Sequence, residues 1–170
     1  MVIEDDEDKE KNFFHLAPEL TIDEIPALSK GFYILIINSG WTTSISKSFD
    51  SNLPFFKDRL GKHMLIQLSD VLQNQTAREK FRSKKKYEPT LVITSKHPAI
   101  WDPEKDSREG LKIGLGTLQS PDEIPLYLDY IAETLNTDDF IKVAKWDARR
   151  RLLMHYLKKV PIVDVLSLFV

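Results

Sequence analysis

Three consecutive hydroxyl-bearing residues, Thr42, Thr43 and Ser44, follow Trp41 and could in principle supply a nucleophile. A serine or threonine attacks a substrate only when a general base lies within hydrogen-bond reach, and no histidine is close to them in sequence. Serine and threonine also accept hydrogen bonds from the free N–H groups at the start of a helix. We therefore interpret these hydroxyls as helix caps or as binding groups, and we predict no catalytic residue.

The chain contains no cysteine, which excludes thiolate nucleophiles, disulfides and cysteine metal ligands. No metal-ligand spacing links the four histidines, which are His15, His63, His97 and His155. The glycine-rich segment 110–116 lacks the Lys-Ser/Thr pair of a phosphate-binding loop, and we interpret it as a bulge or an edge turn. The sequence therefore predicts neither a metal nor a cofactor.

A second candidate for binding is a basic run between residues 78 and 86. Its cations are Arg78, Lys80, Arg82, Lys84, Lys85 and Lys86, with Glu79 as the acid among them. Such a run attracts phosphates or an acidic protein surface. Because the whole chain carries a formal charge of −2, we favour a solvated loop. Nucleic-acid binding and contact with the chain's own acidic N-terminus are the alternatives.

The length and composition indicate a single globular domain with additional terminal segments. The chain has 170 residues, of which 42% are hydrophobic, and no apolar run reaches the roughly 18 residues that span a bilayer. Residues 1–12 form an acidic tail where a secretory signal would need basic and then apolar residues. We expect this tail to be disordered and the protein to be cytoplasmic.

Hydrophobic patterning predicts an alternation of strands and helices. A continuous apolar run over 31–38 predicts a buried strand, and apolar residues at helical spacing predict a helix that ends near Gly61. A second strand is predicted over 63–68, followed by a polar loop over 70–81 that leads into a short helix around Ala77. A short helix is also expected to begin at Thr21.

The second half of the chain adds two strands and two helices. The dipeptide Glu88-Pro89 precedes a β-branched strand, and after a Pro-, Asp- and Lys-rich insertion over 96–109 a weaker strand is expected over 111–116. A helix is predicted from Ser120, and another from Thr137 to Pro161.

Trp41, a proline inside the following helix (Pro54) and the Pro89-Thr90 pair resemble the thioredoxin-like fold over residues 13–135. That resemblance implies a three-layer α/β/α domain with a central mixed sheet of four to five strands. In that family Trp-Cys-x-x-Cys precedes a proline-kinked helix, and a cis-proline starts the strand that faces it. Here Thr42 and Ile45 stand at the cysteine positions, so thiol-disulfide exchange is excluded.

A cysteine-free branch of that fold gives a second resemblance. Asp70-Val71-Leu72-Gln73-Asn74, with Ala77 and Glu79 before Pro89-Thr90-Leu91, is similar to the corresponding segment of KaiB-like domains. Gly40 to Ser44 stands where that family has a short Gly-x-Thr loop. KaiB-like domains are interaction modules, and the insertion over 96–109 departs from their compact form. The resemblance implies a non-redox binding domain without implying a clock role.

The sequence thus predicts a regulatory or protein-interaction module rather than an enzyme. The predicted binding face comprises Trp41, Thr42, Thr43, Ser44, Glu88, Pro89 and Thr90. A small ligand in the same place, or nucleic acid on the basic run, is the alternative. Residues 136–170 form a C-terminal extension, basic and amphipathic and then apolar over 162–170. We expect this extension to pack on its own domain, to dock on a partner or on anionic lipid, or to form a homodimer.

Overall fold

The computed structural model describes residues 19–39, 43–137 and 140–145, and shows a mixed α/β fold. The strands within these residues are β1 (Glu19–Leu20), β2 (Tyr33–Ile37), β3 (Met64–Leu68), β4 (Thr90–Thr94) and β5 (Gly110–Gly114). The helices with assigned bounds are α1 (Ser44–Arg59), α2 (Val71–Lys80) and α3 (Glu123–Thr134). Three-residue 3-10 turns occur at Ile22–Glu24, Lys85–Tyr87 and Leu115–Thr117.

The five strands form one mixed sheet in the order β1-β3-β2-β4-β5. β3 runs parallel to both β1 and β2, whereas β4 is antiparallel to β2 and β5 is antiparallel to β4. The central position of β2 is visible in its register, because Leu35 lies between Ile66 of β3 and Val92 of β4. The prediction of an α/β fold around a mixed sheet is confirmed.

Side chains of the central strand alternate between two hydrophobic clusters. Ile34 and Ile36 belong to a cluster that includes Phe49 of α1 and Leu128 of α3. Tyr33, Leu35 and Ile37 belong to a second cluster, together with Ala77 of α2 and with Phe81 and Trp101. All five residues of β2 are buried, which explains why the sequence shows a continuous apolar run there instead of an alternating pattern.

The helix predicted around Ala77 is present, but the polar loop predicted before it is wrong, because α2 occupies nearly all of residues 70–81. Asp70 is the N-cap of this helix, and its Oδ1 accepts a 2.7 Å hydrogen bond from the amide of Gln73. Only Asn74 and Ala77 are buried along the ten residues. With so few buried residues, apolar periodicity could not show the full length of the helix, although Asp70 is a typical N-cap residue.

The insertion over 96–109 contains no helix or strand, as predicted, but it supplies a core residue. Trp101 is 2% exposed, lies 5.8 Å from Phe81 between ring centroids and donates from Nε1 to the carbonyl of Asp106 at 3.1 Å. Gly110 makes room for the indole, since a Cβ there would lie 2.5 Å from Trp101 Cζ2. The segment is therefore tied to the sheet through its tryptophan.

At the two ends of the described chain, the first helix is shorter than predicted and the packed core extends further than predicted. The helix predicted to begin at Thr21 is only the 3-10 turn Ile22–Glu24, and the Thr21 amide donates to Glu24 Oε2. Residues 140–145 are helical, and Phe140 and Ile141 are buried in the cluster that contains α1 and α3. The packed core thus continues beyond residue 135. The acidic tail and the apolar segment 162–170 lie outside the described residues.

Candidate functional site

Of the first part of the predicted binding face, the structure describes Thr43 and Ser44, which lie at the start of α1. Thr43 is the N-cap of α1, and its Oγ1 accepts a hydrogen bond from the Ser46 amide at 3.1 Å. Ser44 is the first residue of the helix, and both Thr43 and Ser44 are exposed. The capping interpretation is confirmed for Thr43. Trp41 and Thr42 lie outside the described residues.

The Glu88–Pro89 peptide bond is cis, as the resemblance to the thioredoxin-like fold implied. Glu88, Pro89 and Thr90 are all buried, and the Pro89 carbonyl accepts a hydrogen bond from the Leu115 amide at 2.8 Å. Gly116 permits this close approach, since a Cβ there would lie 2.3 Å from the Glu88 carbonyl oxygen. These three predicted residues therefore have little surface of their own to offer a partner.

Glu88 instead holds two other residues in place. Its side chain is fully buried, and its Oε2 accepts a 2.8 Å hydrogen bond from the Ser39 amide just after β2. Its Oε1 lies 3.1 Å from Arg78 Nε, a close ionic contact rather than an aligned hydrogen bond. Arg78 Nη2 in turn donates to Ser39 Oγ at 3.1 Å. The three residues form a closed triangle between β2, α2 and the start of β4.

A pair of asparagines makes a second link between β2 and α2. Asn74 Oδ1 accepts a 2.9 Å hydrogen bond from the Asn38 amide, and Asn74 Nδ2 donates to the Asp70 carbonyl at 2.9 Å. Asn74 is only 7% exposed, so its amide groups depend on these partners. The end of β2 is consequently fixed to α2 at two successive residues, 38 and 39.

Thr90 supports a third position in the same way. Its Oγ1 receives a hydrogen bond from Ser83 Oγ at 3.2 Å and donates to the Tyr87 carbonyl at 3.1 Å. Ser83 follows α2 and is partly exposed. Glu88 and Thr90 were predicted as binding groups, but both are buried. Their role is to position Ser39, Arg78 and Ser83.

The positioned residues border a groove of about 450 Å³ along α2. Its lining consists of Ser39, Val71, Gln75, Arg78, Glu79, Ser83 and Lys85. Val71 is 67% exposed, and so is its neighbour Leu72. The groove is thus open to solvent, mixed in polarity and flanked at the start of α2 by two exposed apolar side chains.

The sequence analysis did not identify the α2 side of this groove. Val71, Gln75 and Arg78 are spaced by four and three residues, which places them on one face of the helix. That spacing was visible in the sequence, but it has meaning only once residues 71–80 are known to be helical. Arg78 was interpreted as part of a solvated basic run, whereas its side chain is only 20% exposed.

The cations of the basic run have different surroundings in the folded chain. Arg78 pairs with Glu88, Lys80 Nζ donates to the Ala99 carbonyl at 2.6 Å, and Arg82 forms an ion pair with Glu104. The remaining cations, Lys84, Lys85 and Lys86, are exposed around the 3-10 turn after α2. The exposed lysines that follow α2 therefore lie at the Lys85 end of the groove.

The two described histidines have structural hydrogen bonds. His63 Nδ1 accepts from the Phe32 amide at 3.0 Å, and its Nε2 lies 3.3 Å from Asn136 Oδ1. Burial lowers the pKa of His63, which favours this neutral form. His97 Nδ1 accepts from the Ala99 amide, and its Nε2 lies 2.7 Å from the Ile25 carbonyl oxygen. Neither ring is arranged as a base for Thr43 or Ser44.

Comparison of the chain with protein-family models, with curated proteins and with solved structures finds no match. Within the described ranges, no helix has the length and apolar character needed to cross a membrane. The same ranges hold no group of three or more His, Asp or Glu side chains that could bind a metal ion. Inference about function therefore depends on the groove and the residues that position it.

Proposed function

We propose that this chain is a non-redox protein-interaction module with a thioredoxin-like three-layer α/β/α fold, and that the α2 groove binds the partner. The sheet order β1-β3-β2-β4-β5 and the position of Pro89 directly before β4 support the fold assignment. The two hydrophobic clusters support the layers, because one contains α1 and α3 and the other contains α2. With no cysteine, this fold has no thiol chemistry to perform.

The observation that carries the proposal is a rigid, open groove whose walls are held by buried polar contacts. Ser39 and Arg78 are fixed by Glu88, which is fully buried, and Ser83 is fixed by Thr90. Buried polar networks restrict the geometry of the groups they join. A surface fixed in this way loses little conformational entropy when a partner binds, which favours affinity.

The lining favours a protein segment over an enclosed small ligand. A volume of about 450 Å³ is adequate for a small molecule, but small-molecule sites are mostly apolar and bury most of the ligand surface. Here Val71 is the one aliphatic side chain of the lining, and Gln75, Glu79 and Lys85 are exposed. A polypeptide can use such a surface because its backbone and side chains offer many hydrogen-bonding groups.

The two ends of the groove define the chemistry of the partner segment. Val71 and Leu72 offer two adjacent apolar side chains at the start of α2, beside the polar lining of the groove. The lysines at positions 84 to 86 offer positive charge at the other end. The partner segment accordingly carries an apolar side chain and, some residues away, one or more carboxylates.

Changing Val71 and Leu72 to aspartate is expected to abolish capture of the partner from an extract of the source cells by the tagged chain. The double change places charges where the partner needs apolar contact, and each is tolerated by the fold because both sites are exposed and lie in the first turn of α2, where the helix dipole favours acids. The measurement is quantitative mass spectrometry of the captured proteins, with circular dichroism to verify folding.

The matched control is Phe55→Asp together with Leu126→Asp. These residues are each 70% exposed and lie on α1 and α3, away from α2. The control carries the same added charge and loses at least as much exposed apolar surface, but on the other side of the sheet, so it should retain the partner. Equal loss of the partner from both variants, or retention by both, would show that the groove is not the binding surface.

A further inference from the structure

We propose that residues 4–14 of the chain, the N-terminal segment, dock on the α2 groove and compete there with the partner. This inference rests on the proposed function, because it assigns a regulatory occupant to the same surface. The occupant is a segment of this same molecule, tethered to the sheet at Glu19.

The charge of the N-terminal segment complements that of the groove. Its acids are Glu4, Asp5, Asp6, Glu7, Asp8 and Glu10, against Lys9 and Lys11. The opposing cations are the three consecutive exposed lysines at 84, 85 and 86. Clusters of opposite charge within one molecule attract each other over roughly a Debye length, about 10 Å at 0.1 M salt.

The apolar residues of the segment match the other end of the groove. Phe13 and Phe14 follow the acids directly, and Val71 and Leu72 are each 67% exposed at the start of α2. Two aromatic side chains over two aliphatic ones would remove a substantial apolar area from water, at about 25 cal/mol for each Å². The segment thus has the partner chemistry that the groove requires, an apolar pair and a group of carboxylates.

The order and spacing of these features fit the geometry of the sheet and helix. β1 is parallel to β3, with Glu19 opposite Gln67, so the segment reaches the start of α2 when the chain before Glu19 turns back along the end of β3. Phe14 precedes Glu19 by five residues, an extended reach of about 17 Å. The chain from Phe13 back to Asp8 spans a similar length, and α2, with its ten residues, is about 15 Å long. Phe13 and Phe14 can therefore lie at the start of α2 while the acids reach the lysines beyond its end.

Tethering makes even weak contacts effective. A segment attached a few residues from its site is present there at an effective concentration on the order of millimolar. A partner must displace the segment before it occupies the groove, which lowers the apparent affinity of the partner. Because charge pairing supplies part of the contact, this competition weakens as the salt concentration rises.

The absence of cysteine permits a direct test in the full chain. Asn12→Cys introduces a single thiol between the acids and the two phenylalanines, and a nitroxide attached there broadens the NMR signals of nearby amides. We expect strong broadening at Val71, Gln75 and the lysines 84 to 86, and little at the α3 amides 123–134. Raising the salt from about 0.05 M to 1 M should reduce the broadening around the lysines most strongly.

A triple charge reversal tests whether the broadening is caused by charge complementarity or by random encounters of the segment with the surface. Lys84→Glu, Lys85→Glu and Lys86→Glu should reduce the broadening, whereas the same reversal of exposed lysines on or beside α1, Lys47→Glu, Lys57→Glu and Lys62→Glu, should not. Labelling one molecule and observing another in a mixed sample identifies contacts between copies. Uniform broadening, broadening confined to α3, or broadening that appears only between copies would overturn the inference.

This outcome is independent of the test of the proposed function. If the segment does not dock while Val71→Asp with Leu72→Asp still abolishes partner capture, the groove is a binding surface without a self-occupant. If the segment docks and the aspartate variant retains its partner, the groove binds the segment alone. Each result identifies which of the two proposals has failed.

Discussion

Glu88→Ala is expected to lower the free energy of unfolding by about 3 kcal/mol. The substitution removes a fully buried carboxylate that accepts from the Ser39 amide and contacts the guanidinium of Arg78. Breaking a buried ion pair costs about 3–5 kcal/mol, because the remaining charge and its donors lose their partner. We expect the lower end of that range, since Arg78 is 20% exposed and can recover part of its hydration. Urea unfolding followed by circular dichroism measures the change.

The control for this prediction is Glu79→Ala, which removes an exposed acid from the same groove. Surface substitutions of this kind change stability by about 0.5 kcal/mol or less. If Glu88→Ala were as mild as the control, the triangle of Ser39, Arg78 and Glu88 could not be what fixes the groove wall. The groove wall would then not be held rigid by Glu88.

Trp101→Ala is expected to destabilise the fold by about 3–5 kcal/mol, as for other large-to-small changes in a core. The indole is 2% exposed, packs on Phe81 just after α2 and accounts for the glycine at position 110. Its loss leaves a cavity beneath the end of α2 and also removes the hydrogen bond to the Asp106 carbonyl. The midpoint of urea unfolding should fall accordingly.

The adjacent residue provides the matched comparison. Ile100 is 70% exposed, so Ile100→Ala should leave stability within about 0.5 kcal/mol of the original chain. Similar mild effects of both substitutions would mean that the insertion over 96–109 is not anchored in the core. A large effect of Ile100→Ala would instead indicate contacts that the described residues do not show.

The elements that could be predicted were those with a strong local hydrophobic signal. β2 and β4 are buried along their whole length, and their continuous apolar runs identified them. The helix α2 was predicted only as a short helix around Ala77, because only Asn74 and Ala77 of its ten residues are buried. Its N-cap, Asp70, is of a residue type that favours a helix start at that point. Propensity and capping can therefore define a helix where apolar periodicity cannot.

The groove could not be predicted from the sequence, because it is formed by contacts between residues that are far apart in the chain. Glu88 was predicted as a binding residue, but its partner Ser39 is 49 residues away in the chain, and only the folded sheet brings them together. Arg78 was assigned to a solvated basic run because its neighbours in sequence are cations. Its inward orientation results from that same buried carboxylate. The sequence thus brought Glu88 and Thr90 into the candidate binding face but could not show that both are buried behind the groove.

The central claim is that the α2 groove binds a protein partner, and site-specific photocrosslinking tests it most directly. A photoreactive amino acid at Gln75, in the lining of the groove, is compared with the same amino acid at Phe55 on α1. Both positions are exposed, so neither replacement should disturb the fold. Illumination in the source cells is predicted to give a discrete covalent adduct with another protein from Gln75 and none from Phe55. Absence of an adduct at Gln75, or the same adduct at Phe55, would contradict the claim.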